Sequence, residues 1–197
     1  MVKPFSAACE NNREAIGSVL KKLLFKAKSV FEIGSGTGQH AVWFAENLPH
    51  LQWYTSDRRD NHTGINQWLE ESGLENVQPP ITLDVAKDIW PTITVDAVFS
   101  SNTAHIMAWP DVQCMFRGAS ALLAADGLFF LYGPMQYGGV ITPQSNRDFN
   151  DHLKKTNPAQ GIREFDDLDQ LAKSQNMYLL EDNAMPANNQ LLVWKKQ

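Results

Sequence analysis

The chain of 197 residues is long enough for one sizeable core and short for two, so a single domain over residues 1–197 is expected. Its 22 acidic and 17 basic side chains leave a net charge of −5, which offers no broad attraction to phosphate backbones or anionic membranes. Neither a nucleic acid nor a membrane is the expected partner: no apolar run approaches the roughly 20 residues that cross a bilayer. Cys9 and Cys114 are too few for a disulfide framework, and residues 1–12 lack the apolar core of a signal peptide, so the expected compartment is the reducing cytosol.

In chain order, Ile16, Val19, Leu20, Leu23 and Leu24 form one helical stripe, with Lys21, Lys22 and Lys26 placed late to complement the helix dipole. This predicts a leading helix over Glu10 to Phe25. The small, polar stretch Ser6 to Arg13 ahead of it either caps that helix, through Ser6 and Asn11, or folds over a ligand. Val30, Phe31 and Ile33 then read as a buried strand that runs through Gly34-Ser35-Gly36-Thr37-Gly38 into a helix carried by Ala41, Val42, Phe44, Ala45 and Leu48. Glycines between a strand and a helix let a ligand approach the main chain and the positive end of the helix, which points to a nucleotide-like cofactor. The bland alternative is a glycine-rich turn without a ligand.

The dinucleotide fingerprint G-x-G-x-x-G places its third glycine one residue later than Gly38, where this chain has Gln39. Glu32, inside the strand, needs hydrogen-bond partners if it is buried. Leu51 to Ser56 reads as a second strand ending at Asp57, an acid that either accepts ribose hydroxyls or caps the helix suggested by Ile65, Trp68 and Leu69. Val77 to Leu83 is a third strand, placed at the sheet margin because Pro79 and Pro80 cannot serve an internal ladder. Asp84 follows it, where an acid can receive an adenine amino group.

Val95 to Ser100 is a fourth strand. Pro110 opens a helix closed by Gly127, Leu128 to Tyr132 is a fifth strand, and Phe165 to Ser174 is a further helix. Met177 to Leu180 and Gln190 to Trp194 are strands separated by the short stretch Met185 to Asn189, so they should pair antiparallel. The alternation predicts an α/β fold: a mostly parallel, doubly wound sheet with helices on both faces and its binding crevice at the carboxyl ends of the strands.

The E-x-G-x-G-x-G stretch from Glu32 to Gly38 resembles the first motif of class I S-adenosylmethionine-dependent methyltransferases, in which the acid orders the turn or contacts the methionine end of the cofactor. The rest of the chain resembles a methyltransferase-like family of small cytosolic proteins. That resemblance rests on Ser6-Ala7-Ala8 with Glu10, Asn12 and Arg13, Glu32 to Ala41, Trp53 with Ser56-Asp57, and His105-Ile106 with Trp109. It continues through Gly133-Pro134, Ser145-Asn146 with Phe149, Gly161-Ile162-Arg163 and Met185 to Asn189. Departures are Gly34 where alanine is common, Thr55 where proline is common, and Met107-Ala108 where Ser-Pro is usual.

The resemblance implies a Rossmann-like, seven-stranded class I fold with an antiparallel carboxyl-terminal hairpin. It also implies S-adenosylmethionine as cofactor, S-adenosylhomocysteine as product and a small-molecule acceptor, in a monomer or homodimer. The cofactor is expected on Glu32, Gly34, Ser35, Gly36, Thr37, Gly38, Asp57, Arg58, Asp84, Val85, Ser101 and Asn102. His105 is the candidate base, its alternative a structural histidine; Asn12, Arg13, Tyr137, Asn188 and Asn189 are candidate substrate residues. The loop Gly133 to Gly139 is a candidate lid, with a plain surface loop as its alternative. Ser101 to His105 lacks the N-P-P-[YF] prolines of adenine and glutamine amino methyltransferases, and no His, Cys and acid cluster has zinc spacing. A cofactor-binding protein without catalysis, or a nicotinamide oxidoreductase, are the alternative functions.

Overall fold

A computed structural model describes residues 3–197; Met1 and Val2, part of the expected domain, lie outside the described residues. Nine strands and six helices occur among the described residues. In order they are α1 (Ala7–Leu23), β1 (Ser29–Ile33), α2 (Gln39–Asn47), β2 (Gln52–Asp57), α3 (His62–Ser72), β3 (Val77–Thr82), β4 (Val95–Ser101) and α4 (Trp109–Leu122). There follow β5 (Leu123–Gly133), β6 (Met135–Gln136), α5 (Gln144–Thr156), β7 (Arg163–Glu164), α6 (Phe165–Ser174), β8 (Met177–Met185) and β9 (Asn189–Lys196).

Seven strands form one sheet in the order β3-β2-β1-β4-β5-β9-β8. The first five pair parallel, β9 runs antiparallel to β5, and β8 antiparallel to β9. The predicted fold class and terminal hairpin are therefore present. Period-two alternation divides the core: Phe31, Ile33, Val98 and Phe129 face one apolar layer with Phe116 and Trp194, while Val30, Ala97, Phe99 and Phe130 face the other with Phe44 and Trp53. Burial on both faces explains why the central strands read as continuous apolar runs. Strand β3 is at the edge, as its prolines require, and its pairing with β2 shifts register between Tyr54 and Ser56.

Some boundaries differ from the reading of the sequence. Helix α1 starts at Ala7, with Ser6 as N-cap accepting a hydrogen bond from Cys9 N at 3.4 Å, so Asn11 lies within the helix and caps nothing. The small polar stretch is thus the first turns of α1. Helix α4 ends at Leu122, not at Gly127, because β5 already begins at Leu123. Gly127 instead sits inside β5 beside a register shift, where a Cβ would come within 2.9 Å of Ala124 O and 3.1 Å of Asp96 O. Helix α5 was not predicted; its buried face includes Asn146 and Asn150 beside Leu153, so apolar periodicity is too sparse to betray it.

Candidate active site

A cleft of about 880 Å³ opens at the carboxyl ends of the parallel strands. A smaller hollow of about 240 Å³, between Glu14 and Leu48 on the outer side of α1 and α2, lies away from the strand ends. The large cleft sits where β1 and β4 lead to opposite sides, the topological switch at which open α/β sheets bind ligands.

On the β1 side, the turn is built by main-chain bonds: Gly34 N and Ser35 N donate to Ser56 O at 3.0 and 2.9 Å. Gly36 adopts φ +59° with nothing within 4 Å of a would-be Cβ, so the turn presents bare main chain to the cleft. Gly38 adopts φ +90° at the start of α2, and a Cβ there would meet Ile65 Cα at 3.1 Å. Gly34, Ser35, Gly36 and Thr37 line the cleft, while Gly38 packs against α3. Glu32 is buried beneath the turn, not in the cleft lining: its Oε2 accepts from Ser35 Oγ at 2.9 Å and from Trp53 Nε1 at 3.1 Å. Burial pushes its pKa up to about 7, Trp53 and Ser35 pull it back, and the Asp57 charge adds to the rise.

Asp57 closes the turn from β2. Its Oδ2 accepts from Gly36 N at 2.7 Å, and its Oδ1 accepts from Arg58 N at 2.7 Å and Asn61 Nδ2 at 2.8 Å. It does not cap α3, whose N-cap is Asn61. Arg58, Asp84 and Val85 line the same end of the cleft. Asp84 accepts from Lys87 Nζ at 3.0 Å, and that bond holds its carboxyl below the usual range.

On the β4 side, Ser101, Asn102 and His105 line the cleft. Asn102 has φ +58° and donates its N–H to Tyr132 O at 2.9 Å. The four consecutive carbonyls that follow are all capped by one short segment. Arg163 Nε donates to Ala104 O at 2.9 Å, Gly161 N to His105 O at 2.9 Å, Gln160 Nε2 to Ile106 O at 2.9 Å, and Arg163 Nη2 to Met107 O. His105 is buried with its ring edge against Phe149 at 5.3 Å, and neither ring nitrogen hydrogen-bonds to another protein group among the described residues. Burial, then the Arg163 charge, lowers its pKa to about 4.

Other sequence candidates fall elsewhere. Asn189 lines the cleft, whereas Asn188 beside it, at φ +57°, offers its carbonyl to Asn146 Nδ2 at 3.2 Å. Asn12 is buried behind the cleft, its Oδ1 receiving the Nε2–H of His40 at 2.7 Å. Arg13 pairs with Glu10 at 2.8 Å on α1, and neither Asn12 nor Arg13 reaches the cleft lining. Tyr137 points the other way: its hydroxyl donates to Asp182 Oδ2 at 2.7 Å and its ring stacks on Phe165 at 5.2 Å. Nor does the stretch after Pro134 hang free as a lid. Strand β6 pairs with β7, and Gly138 N and Gly139 N donate to the Glu164 carboxylate at 2.9 and 2.8 Å.

The sequence reading missed Cys9, His40, Asn146, Phe149 and Gln160 as cleft-lining residues. Asn146 and Phe149 carried a signal in the resemblance, but without a predicted helix there was nothing to aim them at the site. His40 is stacked on Phe44 at 5.2 Å, and burial, then Arg13, lowers its pKa to about 4.

A family model described as "Protein of unknown function (DUF938)" matches residues 3–196. The chain belongs to the DUF938 family. Among curated proteins, a C-methyltransferase, NovU, of Streptomyces niveus is 29% identical over 126 residues, covering 63% of this chain and 28% of that one. Among solved structures, an O-methyltransferase family protein from Burkholderia thailandensis superposes with a TM-score of 0.82 at 13% identity, covering 93% of this chain and 56% of that one. An O-methyltransferase family 2 protein from Planctomyces limnophilus, solved in complex with apigenin, gives 0.82 at 14% identity, covering 96% and 58%. This chain therefore spans a little over half the length of these solved relatives and about a quarter of the curated one. The likeness establishes a methyltransferase-type Rossmann fold.

Proposed function

We propose that this DUF938 chain is an S-adenosylmethionine-dependent methyltransferase acting on a small molecule. One relationship carries the reading: the bare turn at Gly36 and the Asp57 carboxylate are joined at the mouth of a cleft large enough for a nucleoside cofactor and a second ligand. The residues fit the cofactor. Gly34 to Thr37 would pass under its ribose and methionine, Asp57 would accept a ribose hydroxyl, and Asp84 with Val85 would flank the adenine. Glu32 supports the turn from below, through Ser35.

When bound, the cofactor supplies an electrophilic methyl carbon already activated by a sulfonium. The chain's own work is then positioning the acceptor in line and excluding water, with a base needed only where the nucleophile carries a proton. Asn102 and His105 border the place where that acceptor would lie. His105, neutral above about pH 4, is available to take a proton, though so low a pKa makes it a weak base. The relatives' names cover transfer to carbon and to oxygen, and the acceptor atom here is left open between them.

A nicotinamide reading loses support because Gln39, at the fingerprint's third glycine, is buried and bonded to the amino-terminal segment. Incubation with radiolabelled S-adenosylmethionine and fractionated cell extract, followed by identification of the labelled product, tests the proposal. S-adenosylhomocysteine binding without labelled product across broad metabolite pools would favour a non-catalytic binding protein, and tight NAD binding without response to either adenosyl ligand would sink the assignment.

A further inference from the structure

Beyond the end lined by Asp57 and Asp84, the cleft continues past β4 and β5 to α5 and the β8–β9 connection, and this far half has an unusual lining. Asn146, Gln160 and Asn189 contribute amides, Phe149 and Pro134 an apolar wall, and no Asp, Glu, Lys or Arg from these segments lines the cleft. The cleft's charged side chains come from other segments: Asp57, Arg58 and Asp84 at the glycine turn and β3, and Asp111 at the start of α4.

The amides are oriented by their partners. Asn146 Nδ2 donates to Thr142 O at 3.1 Å and Asn188 O at 3.2 Å; Asn189 Nδ2 donates to Pro186 O at 3.1 Å and Ala187 O at 3.4 Å; Gln160 Nε2 donates to Ile106 O at 2.9 Å. Every partner is a carbonyl oxygen, so the nitrogen must face it; Asn146 and Asn189 have both N–H groups engaged and offer only the amide oxygen, while Gln160 offers its oxygen and one remaining N–H. Three amide oxygens thus face ligand donors, and what remains for a ligand acceptor is neutral: one N–H of Gln160 and the ring of His105. A carboxylate or phosphate would be desolvated against these oxygens, with no Lys or Arg from these segments lining the cleft to pair with it. An ammonium would enter without a carboxylate partner and within the field of Arg163, whose charge already acts on His105. Phe149, 38% exposed, and Ile106, 50% exposed, border the space with apolar surface suited to a flat ring.

We propose that the far half of the cleft selects an uncharged hydroxylated aromatic or heteroaromatic acceptor, its O–H or N–H groups donating to the amide oxygens of Asn146, Gln160 and Asn189 and its ring lying against Phe149. The inference rests on the methyltransferase reading and narrows its substrate by charge.

Three probes of one shape test it: 4-hydroxybenzamide, 4-hydroxybenzoate and 4-hydroxybenzylamine, titrated by ligand-observed NMR into the full chain saturated with S-adenosylhomocysteine near neutral pH. The neutral amide is expected to bind about tenfold or more tightly than either ion, the scale of discrimination that mismatched polar groups impose. Phe149→Ala, which truncates a partly exposed ring, should weaken the amide several-fold and leave the affinity for S-adenosylhomocysteine unchanged. Equal or tighter binding of the benzoate or the benzylamine overturns the charge selection. Binding of none of the three while S-adenosylhomocysteine binds overturns the substrate class and leaves the methyltransferase reading standing, whereas absence of S-adenosylhomocysteine binding removes that reading and this proposal with it.

Discussion

The side-chain amide of Gln39 clasps the main chain of Ser6: Oε1 accepts from Ser6 N, while Nε2 donates to Ser6 O at 3.4 Å and to Glu10 Oε1 at 3.0 Å. A residue that breaks the dinucleotide fingerprint thus holds the start of α1 against the glycine turn, and Ser6, Ala8 and Cys9 line the cleft as a result. Gln39→Ala should leave these groups unpaired at a cost of about 1 to 3 kcal/mol, localised to the amino-terminal segment. Hydrogen exchange should quicken over residues 3–10 and affinity for S-adenosylhomocysteine should fall, with the sheet's protection retained. Unchanged exchange there would show that the clasp contributes nothing. Removal of residues 1–5 is the matching truncation. A cut through Asn12 would take away a buried partner of His40 and damage the core side of α1.

Arg163 spans Ala104 O and Met107 O from two different nitrogens of its planar fork, a spread that the compact ammonium of lysine does not reproduce. Arg163→Lys should therefore loosen the loop that carries His105 while sparing the glycine turn on the other side of the switch. The expected result is S-adenosylhomocysteine affinity within about twofold of wild type and turnover reduced about tenfold or more, as for a misplaced acceptor. Parallel loss of cofactor affinity and of cooperative unfolding would instead assign Arg163 to general stability.

The strands and the strand-end acids were legible because they obey two strong rules: burial on both faces gives unbroken apolar runs such as Leu128 to Tyr132, and crossover topology sends the following loops to one edge. Gly36 and Asp57 could be placed together on that basis alone. What escaped prediction depends on contacts distant in sequence. Asn146 and Asn150 turn inward from α5 because carbonyls and N–H groups of other segments await them: Asn188 O for the first, Ile162 N for the second. Tyr137 looked like a lid residue only because Asp182 and Phe165, which fix it, lie far along the chain.

Stability against pH should carry opposing contributions from buried groups. Glu32 has a folded pKa of about 7, raised from 4.5, so its contribution is full below about pH 4.5 and is lost as pH rises through about 7. His40 and His105 have folded values of about 4, lowered from 6.5, so theirs are full above about pH 6.5 and lost as pH falls through about 4. Glu32→Gln removes the first. From about pH 4.5 to pH 8 the variant should gain on wild type by about 3 kcal/mol in denaturant titrations, and its acid destabilisation should steepen. A stability difference that does not change with pH would mean that Glu32 titrates normally.

His105 also makes a kinetic prediction. As a base with a pKa of about 4 it is already unprotonated at pH 5, so turnover should rise through about pH 4 and stay flat to neutrality. His105→Ala should lower that plateau by about 100-fold, the low end for general-base assistance as befits a weak base, without moving cofactor affinity. Wild-type turnover across the range would make His105 a structural histidine packed on Phe149.

Asp57 separates support of the turn from recognition of the ribose. A carboxylate has about four lone-pair sites; the N–H groups of Gly36, Arg58 and Asn61 take three here, which leaves capacity for one ribose hydroxyl and not the two that the sequence suggested. Asp57→Asn replaces one acceptor oxygen by a donor, so one of those N–H groups must lose its partner or the amide must forgo the ribose. Either way the charge-assisted bond to the hydroxyl is weakened, and affinity for S-adenosylmethionine and S-adenosylhomocysteine should drop about ten- to a hundredfold. Asn61→Ala is the control: it removes one donor, keeps the carboxylate on Gly36 N, and frees a second site for a hydroxyl, so adenosyl affinity should stay within a few-fold of wild type. Calorimetric titration of all three proteins with both adenosyl ligands and NAD reads this out, with NAD binding expected to be negligible throughout. Unchanged adenosyl affinity in folded Asp57→Asn would leave Asp57 as a strut of the turn and remove it from the cofactor site.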